Sequence, residues 1–269
     1  KMKSQICDLL GIEFPLVAFS HCRDVVAAVS KAGGMGVLGA VGLTPEKLEI
    51  ELNWIDEHVD GKPYGVDVLV PNSYVGKGEN LSTDDLRAMI PQEHREFRAD
   101  VLEQHDLDAA DLRDNENSRK LETNSNGVLG AGLDGAKEVL EVAFAHPISL
   151  VANALGVPPK WMLEMGKANN VPVAALVGAK QHAVKQAEAG VDIIVVSGTE
   201  GGGHCGSVST MVLVPEVRRA LKEYGDVPIL AAGGICTGEQ MAGVMAMGAD
   251  GVWCASVFLP TTEAETSDN

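Results

Sequence analysis

The sequence predicts one (β/α)8 barrel, a TIM-barrel α/β fold, with a long acidic insertion after the third strand. Three observations lead there. Short apolar runs alternate with amphipathic stretches over most of the chain, the pattern of parallel strands joined by helices. Eight such runs occur, and eight strand–helix units imply closure into a barrel. The length of 269 residues is the usual size of one such domain. The rival arrangement is an open doubly wound sheet. It is disfavoured because the glycine-dense loops follow late strands and no G-x-G-x-x-G follows the first.

Residues 15–19 form the first expected strand. A helix follows over 24–32, with Asp24 as N-cap and Gly33-Gly34 as the stop. The second strand is expected over 37–41. Thr44-Pro45 opens the next helix, Thr44 capping and Pro45 in the first turn, where its missing N–H costs nothing. That helix runs to about His58, and the third strand covers 64–70.

Residues 72–133 break the rhythm, being polar and rich in Asp and Glu. Two patches, 86–89 and 94–102, have helical character, and Asn115-Glu116-Asn117-Ser118 reads as a turn. A solvated surface excursion or a lid over the site would both produce such a segment. The whole of 1–269 is then one domain carrying this insertion.

Regularity returns with a helix over 135–145, a strand over 148–155 and a helix from Pro158-Pro159 through Asn169. Strand five covers 171–177 and is followed by a helix over 179–189. Strand six covers 192–196. A helix is expected over 215–224, strand seven over 227–232 and a helix over 237–247. Strand eight is placed at 251–259. The repeated Ala189-Gly190-Val191-Asp192 and Met247-Gly248-Ala249-Asp250 read as helix ends leading into strands. Thr262 to Glu265 could only begin an eighth helix, so a longer natural chain or a homo-oligomeric partner could complete the barrel.

Composition limits the function. The 45% apolar content supports a sizeable core, and the 4% aromatic content makes it an aliphatic one. A net charge of −17 argues against nucleic acid or an anionic membrane as a general partner and leaves a small-molecule substrate. No apolar run is long enough for a transmembrane helix, and the first residues lack a signal-peptide core. Five cysteines with no C-x-x-C pair read as reduced thiols in a cytoplasmic protein. No His, Cys and carboxylate spacing suits a metal.

In such barrels the chemistry sits where the strands end. Strand six runs into Ser197-Gly198-Thr199-Glu200-Gly201-Gly202-Gly203-His204-Cys205-Gly206, a glycine-dense loop presenting one histidine. Glycines permit close backbone approach to a flat ligand, and an imidazole there can move protons near neutral pH. Strand seven ends in Gly233-Gly234 and strand eight in Cys254-Ala255-Ser256. Amides of Gly233, Gly234, Ala255 and Ser256, with the Ser256 hydroxyl, could cradle a phosphate. The same glycines would also serve a plain tight turn. His21, at the end of strand one, is a second acid/base candidate. Cys205 could be a reactive thiol, and Glu200 could orient a loop amide or His204. His182 falls on an outer helix.

Together, Lys31-Ala32-Gly33-Gly34-Met35-Gly36, Glu200 to Gly206 and Ala231-Ala232-Gly233-Gly234-Ile235 resemble the nitronate monooxygenase (2-nitropropane dioxygenase) family of FMN-dependent TIM barrels. The resemblance spans nearly the whole chain except the insertion. It implies that His204 is the catalytic acid/base, that Gly203 contacts the flavin, and that Gly233 and Gly234 bind the FMN phosphate. Ala255-Ser256 stands where the family has G-T, keeping the hydroxyl. Gly65-Val66-Asp67 stands where the family has G-V-N, placing Asp67 in the position of an asparagine that touches the flavin. Ala18 and Phe19 would lie beside the flavin ring through backbone atoms. The first-strand loop, Ser20-His21-Cys22-Arg23, departs from the family pattern, and Leu176-Val177 replaces a lysine found in some members.

The function implied is an FMN-dependent oxidoreductase that oxidises alkyl nitronates or nitroalkanes with dioxygen. An alternative within the resemblance is an enoyl or quinone reductase with NAD(P)H as electron donor. Outside it stand a flavin-free barrel for a phosphate ligand and a scaffold without catalysis.

Overall fold

The computed structural model describes residues 3–70, 85, 88–107, 133–203 and 205–266. Its barrel is built from β1 (Leu16–Ser20), β2 (Met35–Gly39), β3 (Tyr64–Val68), β4 (Leu150–Asn153), β5 (Val173–Val177), β6 (Ile193–Ser197), β7 (Ile229–Ala232) and β8 (Gly251–Cys254). All neighbours pair in parallel, and β1 pairs with β8 to close the ring. The helices are α1 (Gln5–Leu10), α2 (Arg23–Lys31), α3 (Pro45–His58), α4 (Gln92–Glu103), α5 (Leu133–Ala145), α6 (Lys160–Asn169), α7 (Lys180–Ala189), α8 (Thr210–Leu221) and α9 (Gly238–Ala246). Residues 1–72 with 133–269 form the compact barrel unit, and residues 73–132 form a second unit that contains α4. The expected helical patch at 86–89 and the turn at 115–118 fall largely outside the described residues.

The strands read as continuous apolar runs because both of their faces are buried. Alternate residues Val17, Val37, Leu150, Ala152, Ala174, Ile193, Val195, Leu230 and Trp253 pack together inside the barrel. Their neighbours, such as Val66, Val151, Val173, Ile194, Val196 and Val252, pack outward against the helices. On β3 the outward set is Tyr64, Val66 and Val68, so the period of two turns Gly65 and Asp67 inward.

Helix α1 has no counterpart in the sequence reading. Its Ile6, Cys7 and Leu10 are buried with the barrel interior, where they join its floor. Six residues are too few for a helical period to stand out from a single sequence. The two Gly-x-Asp repeats have a further role. Asp192 Oδ2 accepts from Val173 N at 2.8 Å and Asp250 Oδ2 accepts from Ile229 N at 2.8 Å. Each carboxylate thus satisfies the first amide of the preceding strand.

Several boundaries move. The cap of α2 is Cys22, so Asp24 sits in the first turn, where its charge suits the helix dipole. Strand two begins and ends two residues earlier than expected. Helix α8 starts at Thr210 and holds Pro215 in its interior. Strand eight stops at Cys254 and gives way to a 3-10 turn over Ser256–Phe258. Residues 261–264 form turns and no helix. Thr44 caps α3 as expected, its hydroxyl accepting from Lys47 N. No helix among the described residues is long and apolar enough to cross a membrane, and all five cysteines are unbridged.

At the N-terminal end of β3, Tyr64 donates to Asp56 Oδ1 at 2.6 Å, and His146 lies 2.7 Å from Asp56 Oδ2 and 3.2 Å from Glu49 Oε2. Burial opposes charge on His146, but the hydrogen bonds to Asp56 and Glu49 outweigh it and raise its pKa. Only the imidazolium can donate to both carboxylates. Its stabilisation is therefore full below the unfolded histidine pKa of about 6.5 and is lost as pH rises through the higher folded value. Thermal unfolding should show a fall in Tm above about pH 6.5 that is absent from His146→Gln. An identical slope in the variant would remove this cluster as its cause.

Candidate active site

Strand β7 ends at Ala232, and the chain turns through Gly233 and Gly234 with φ of +94° and +71°. Both lie in the left-handed region that disfavours a side chain. Space agrees with conformation: a Cβ on Gly233 would sit 2.9 Å from Gly201 N, and one on Gly234 would sit 2.9 Å from Glu200 Cβ. Thr237 then caps α9 in a capping box with Gln240. Next door, β8 ends and Ala255 turns the chain into Ser256–Phe258. Among the described residues, no backbone carbonyl accepts from the amides of Gly233, Gly234, Ala255 or Ser256. Two adjacent strand ends thus present free donors, with the exposed Ser256 hydroxyl beside them.

The β6 loop is clamped against this turn. Glu200 Oε2 accepts from Thr210 N at 2.9 Å and lies 3.0 Å from Thr210 Oγ1. The same hydroxyl lies 3.1 Å from Ala232 O and from Gly233 O. Having one hydrogen, it donates to one of these acceptors at a time. The amide of Thr210 above all holds the Glu200 carboxyl below the usual carboxylate range. Glu200 does hold a backbone amide, though the amide is that of Thr210, buried at the start of α8, rather than one in a loop; Thr210 is the partner that sequence reading missed. Further along, a Cβ on Gly206 would fall 1.9 Å from Gly178 O, so the loop passes in direct backbone contact with the end of β5. Gly203 has φ of +73° and open space around its Cβ position. His204, the expected acid/base, lies outside the described residues. Cys205 is exposed, its Sγ 3.9 Å from Thr199 O.

Across the barrel mouth, Phe19 faces the interior and stacks on Trp253 with ring centroids 6.3 Å apart. Ala18, on the opposite face of β1, is fully buried. His21 packs edge-on against Phe19 at 5.2 Å, with Nδ1 3.0 Å from Gly39 O. A carbonyl only accepts, so Nδ1 carries a hydrogen and donates it to Gly39 O. Gly39 makes room, since a Cβ there would lie 2.7 Å from the imidazole. Asp67 pairs in register with Gly39 on one side and Ala152 on the other. It is 3% exposed, and its Oδ1 has no hydrogen-bond partner. Burial pushes its carboxyl well above the usual range. His182 is exposed on α7, as expected for an outer helix.

A parallel eight-stranded barrel with left-handed glycines at the end of β7, free amides on β7 and β8, and a glycine-rich loop after β6 has the form of an α/β barrel that takes a phosphate-bearing ligand at its mouth. The family model described as nitronate monooxygenase matches residues 3–269. The chain belongs to the nitronate monooxygenase family. It is 51% identical over 266 residues to a provisionally named monooxygenase of Mycobacterium tuberculosis, covering 98% of this chain and 68% of that protein. Among solved structures, the nitroalkane oxidase of Streptomyces ansochromogenes shares the fold with a TM-score of 0.72 at 24% identity, covering 98% of this chain and 71% of that one. FabK from Thermotoga maritima does so with a TM-score of 0.69 at 24% identity, covering 99% and 66%.

The residues present suit the flavin that the family implies. A phosphate requires several unengaged donors, and the β7 and β8 turns supply them. A ring system needs a flat, polar-edged surface, and the mouth offers Phe19, small residues and an unpartnered carboxyl.

Proposed function

We propose that this chain is an FMN-dependent oxidase of alkyl nitronates and their parent nitroalkanes, using dioxygen as final electron acceptor. The observation that carries the reading is the pair of left-handed glycines, Gly233 and Gly234, beside the free amides of Ala255 and Ser256, in a chain of this family. These four residues would hold the FMN phosphate. Gly203, Phe19 and Asp67 would border the ring, and Ala18, whose side chain points away from the interior, would do so only through backbone atoms. When bound, FMN supplies the two-electron chemistry and the route to dioxygen.

The remaining work falls to the protein. His204 either takes the proton from the carbon next to the nitro group or, as imidazolium, attracts a nitronate that is already anionic. The Glu200–Thr210 clamp fixes the strand-side root of the loop bearing His204, limiting how far the imidazole strays from the reacting carbon. Phe19 and Trp253 give the mouth an apolar floor suited to a small alkyl group.

Anaerobic mixing of the FMN-loaded protein with propyl-2-nitronate, NADH or NADPH tests the reading. Bleaching of the flavin by the nitronate and not by either nicotinamide supports an oxidase. Bleaching by NADPH or NADH alone contradicts it and favours the enoyl or quinone reductase reading.

A further inference from the structure

Asp67 holds the one carboxyl oxygen among the described residues that is buried without a hydrogen-bond partner. The period of two on β3 turns it into the barrel, near its C-terminal mouth. Its neighbours in register, Gly39 and Ala152, offer no side-chain donor. The amide just past the end of β2, Ala40 N, goes to the Asp67 carbonyl rather than to its carboxyl. A buried carboxylate usually recruits a cation or two or three N–H donors. The titratable group beside this register pair is His21, which packs over Gly39 and gives its Nδ1 hydrogen to that residue's carbonyl. No lysine or arginine lies on β2 or β4. A carboxyl in such a place is most readily accommodated neutral, and a neutral carboxyl has a hydrogen to donate.

We propose that Asp67 meets the flavin as a carboxylic acid, donating its hydroxyl hydrogen to an acceptor atom on the ring system, and so makes cofactor binding depend on pH. The inference rests on the flavin reading above. It goes further in fixing which way the hydrogen points. An asparagine in this place donates from an amide at every pH; this chain donates only while the acid keeps its proton. Ionisation would turn a donor into an acceptor facing the same ring atom, replacing attraction by repulsion.

The test is an FMN titration of the purified protein and of Asp67→Asn, followed by flavin fluorescence between pH 6.5 and 9. Wild-type affinity should fall as pH rises, by up to about tenfold per pH unit once the acid ionises, while Asp67→Asn changes by less than about threefold. Circular dichroism at each pH confirms that both proteins are folded. Parallel pH profiles for the two proteins, or tighter wild-type binding at alkaline pH, overturn the role of Asp67 while leaving the flavin reading intact. Folded proteins that bind no FMN at any pH overturn both.

Discussion

Replacing His204 with alanine is expected to lower kcat on a nitroalkane by about 10²- to 10⁴-fold, the usual contribution of a positioned general acid or base. The bound flavin should stay. The donors proposed for the phosphate belong to the β7 and β8 turns, and Glu200 ties the β6 loop to Thr210. A preformed nitronate separates the two roles of the histidine. If His204 acts as a base, the variant loses far more activity on the nitroalkane than on its nitronate, because the anion no longer needs deprotonation. If it acts as a cation, the loss on the nitronate appears in KM. Steady-state kinetics of both substrates, normalised to flavin content, checks this; an unchanged rate on both would remove His204 from the mechanism.

The second large effect is expected at Gly206, whose Cβ position lies 1.9 Å from Gly178 O. No rotamer relieves a clash between a Cβ and a backbone oxygen, so Gly206→Ala must displace the β6 loop, the end of β5 or both. Overpacking of this kind costs about 1–3 kcal/mol, occasionally more. At roughly 2–4 °C per kcal/mol for a domain of this size, Tm should fall by several degrees. The effect on rate should be larger than the effect on stability. The displaced backbone lies two residues from His204, and a shift of about 1 Å in a catalytic group costs on the order of 10²-fold. Gly178→Ala meets the same contact from the other strand, with its Cβ 2.6 Å from Gly206 N. Thermal scans and kcat for both variants test the contact. Wild-type Tm and kcat in Gly206→Ala would show that the loop does not depend on it.

Much of this architecture is visible in the sequence because both faces of a barrel strand are buried. Runs such as Ile193-Ile194-Val195-Val196 stand out against the polar helices that follow. The alternation inside those runs also carries site information. Once Tyr64 and Val66 are assigned outward, Asp67 must point into the barrel. Local chemistry placed the cap at Thr44, whose hydroxyl accepts from the amide three residues on, whereas Thr237, read as the first helical residue, is itself the cap of α9. What stayed hidden is non-local. The Glu200–Thr210 bond joins a loop to a helix whose start was misplaced, because Pro215 was read as an N-terminal residue when the helix in fact tolerates it inside. The contact between Gly178 and Gly206 depends on two loops meeting, and neither loop alone encodes it. Sequence alone extends the eighth strand past Cys254 because Val257-Phe258-Leu259 is apolar. Those residues instead follow a turn at Ala255 that leaves the Ser256 amide free.

In the function proposed above, the β7 and β8 turns grip a flavin by its phosphate. The most direct measurement is a paired titration of the purified, cofactor-stripped protein with FMN and with riboflavin, which differ only in that phosphate. Each charge-assisted hydrogen bond is worth about 1.5–3 kcal/mol. FMN should therefore bind at least about 100-fold more tightly than riboflavin, and replacing Gly233 with valine should bring the two together. Equal affinity for FMN and riboflavin, or binding of neither, would contradict the account.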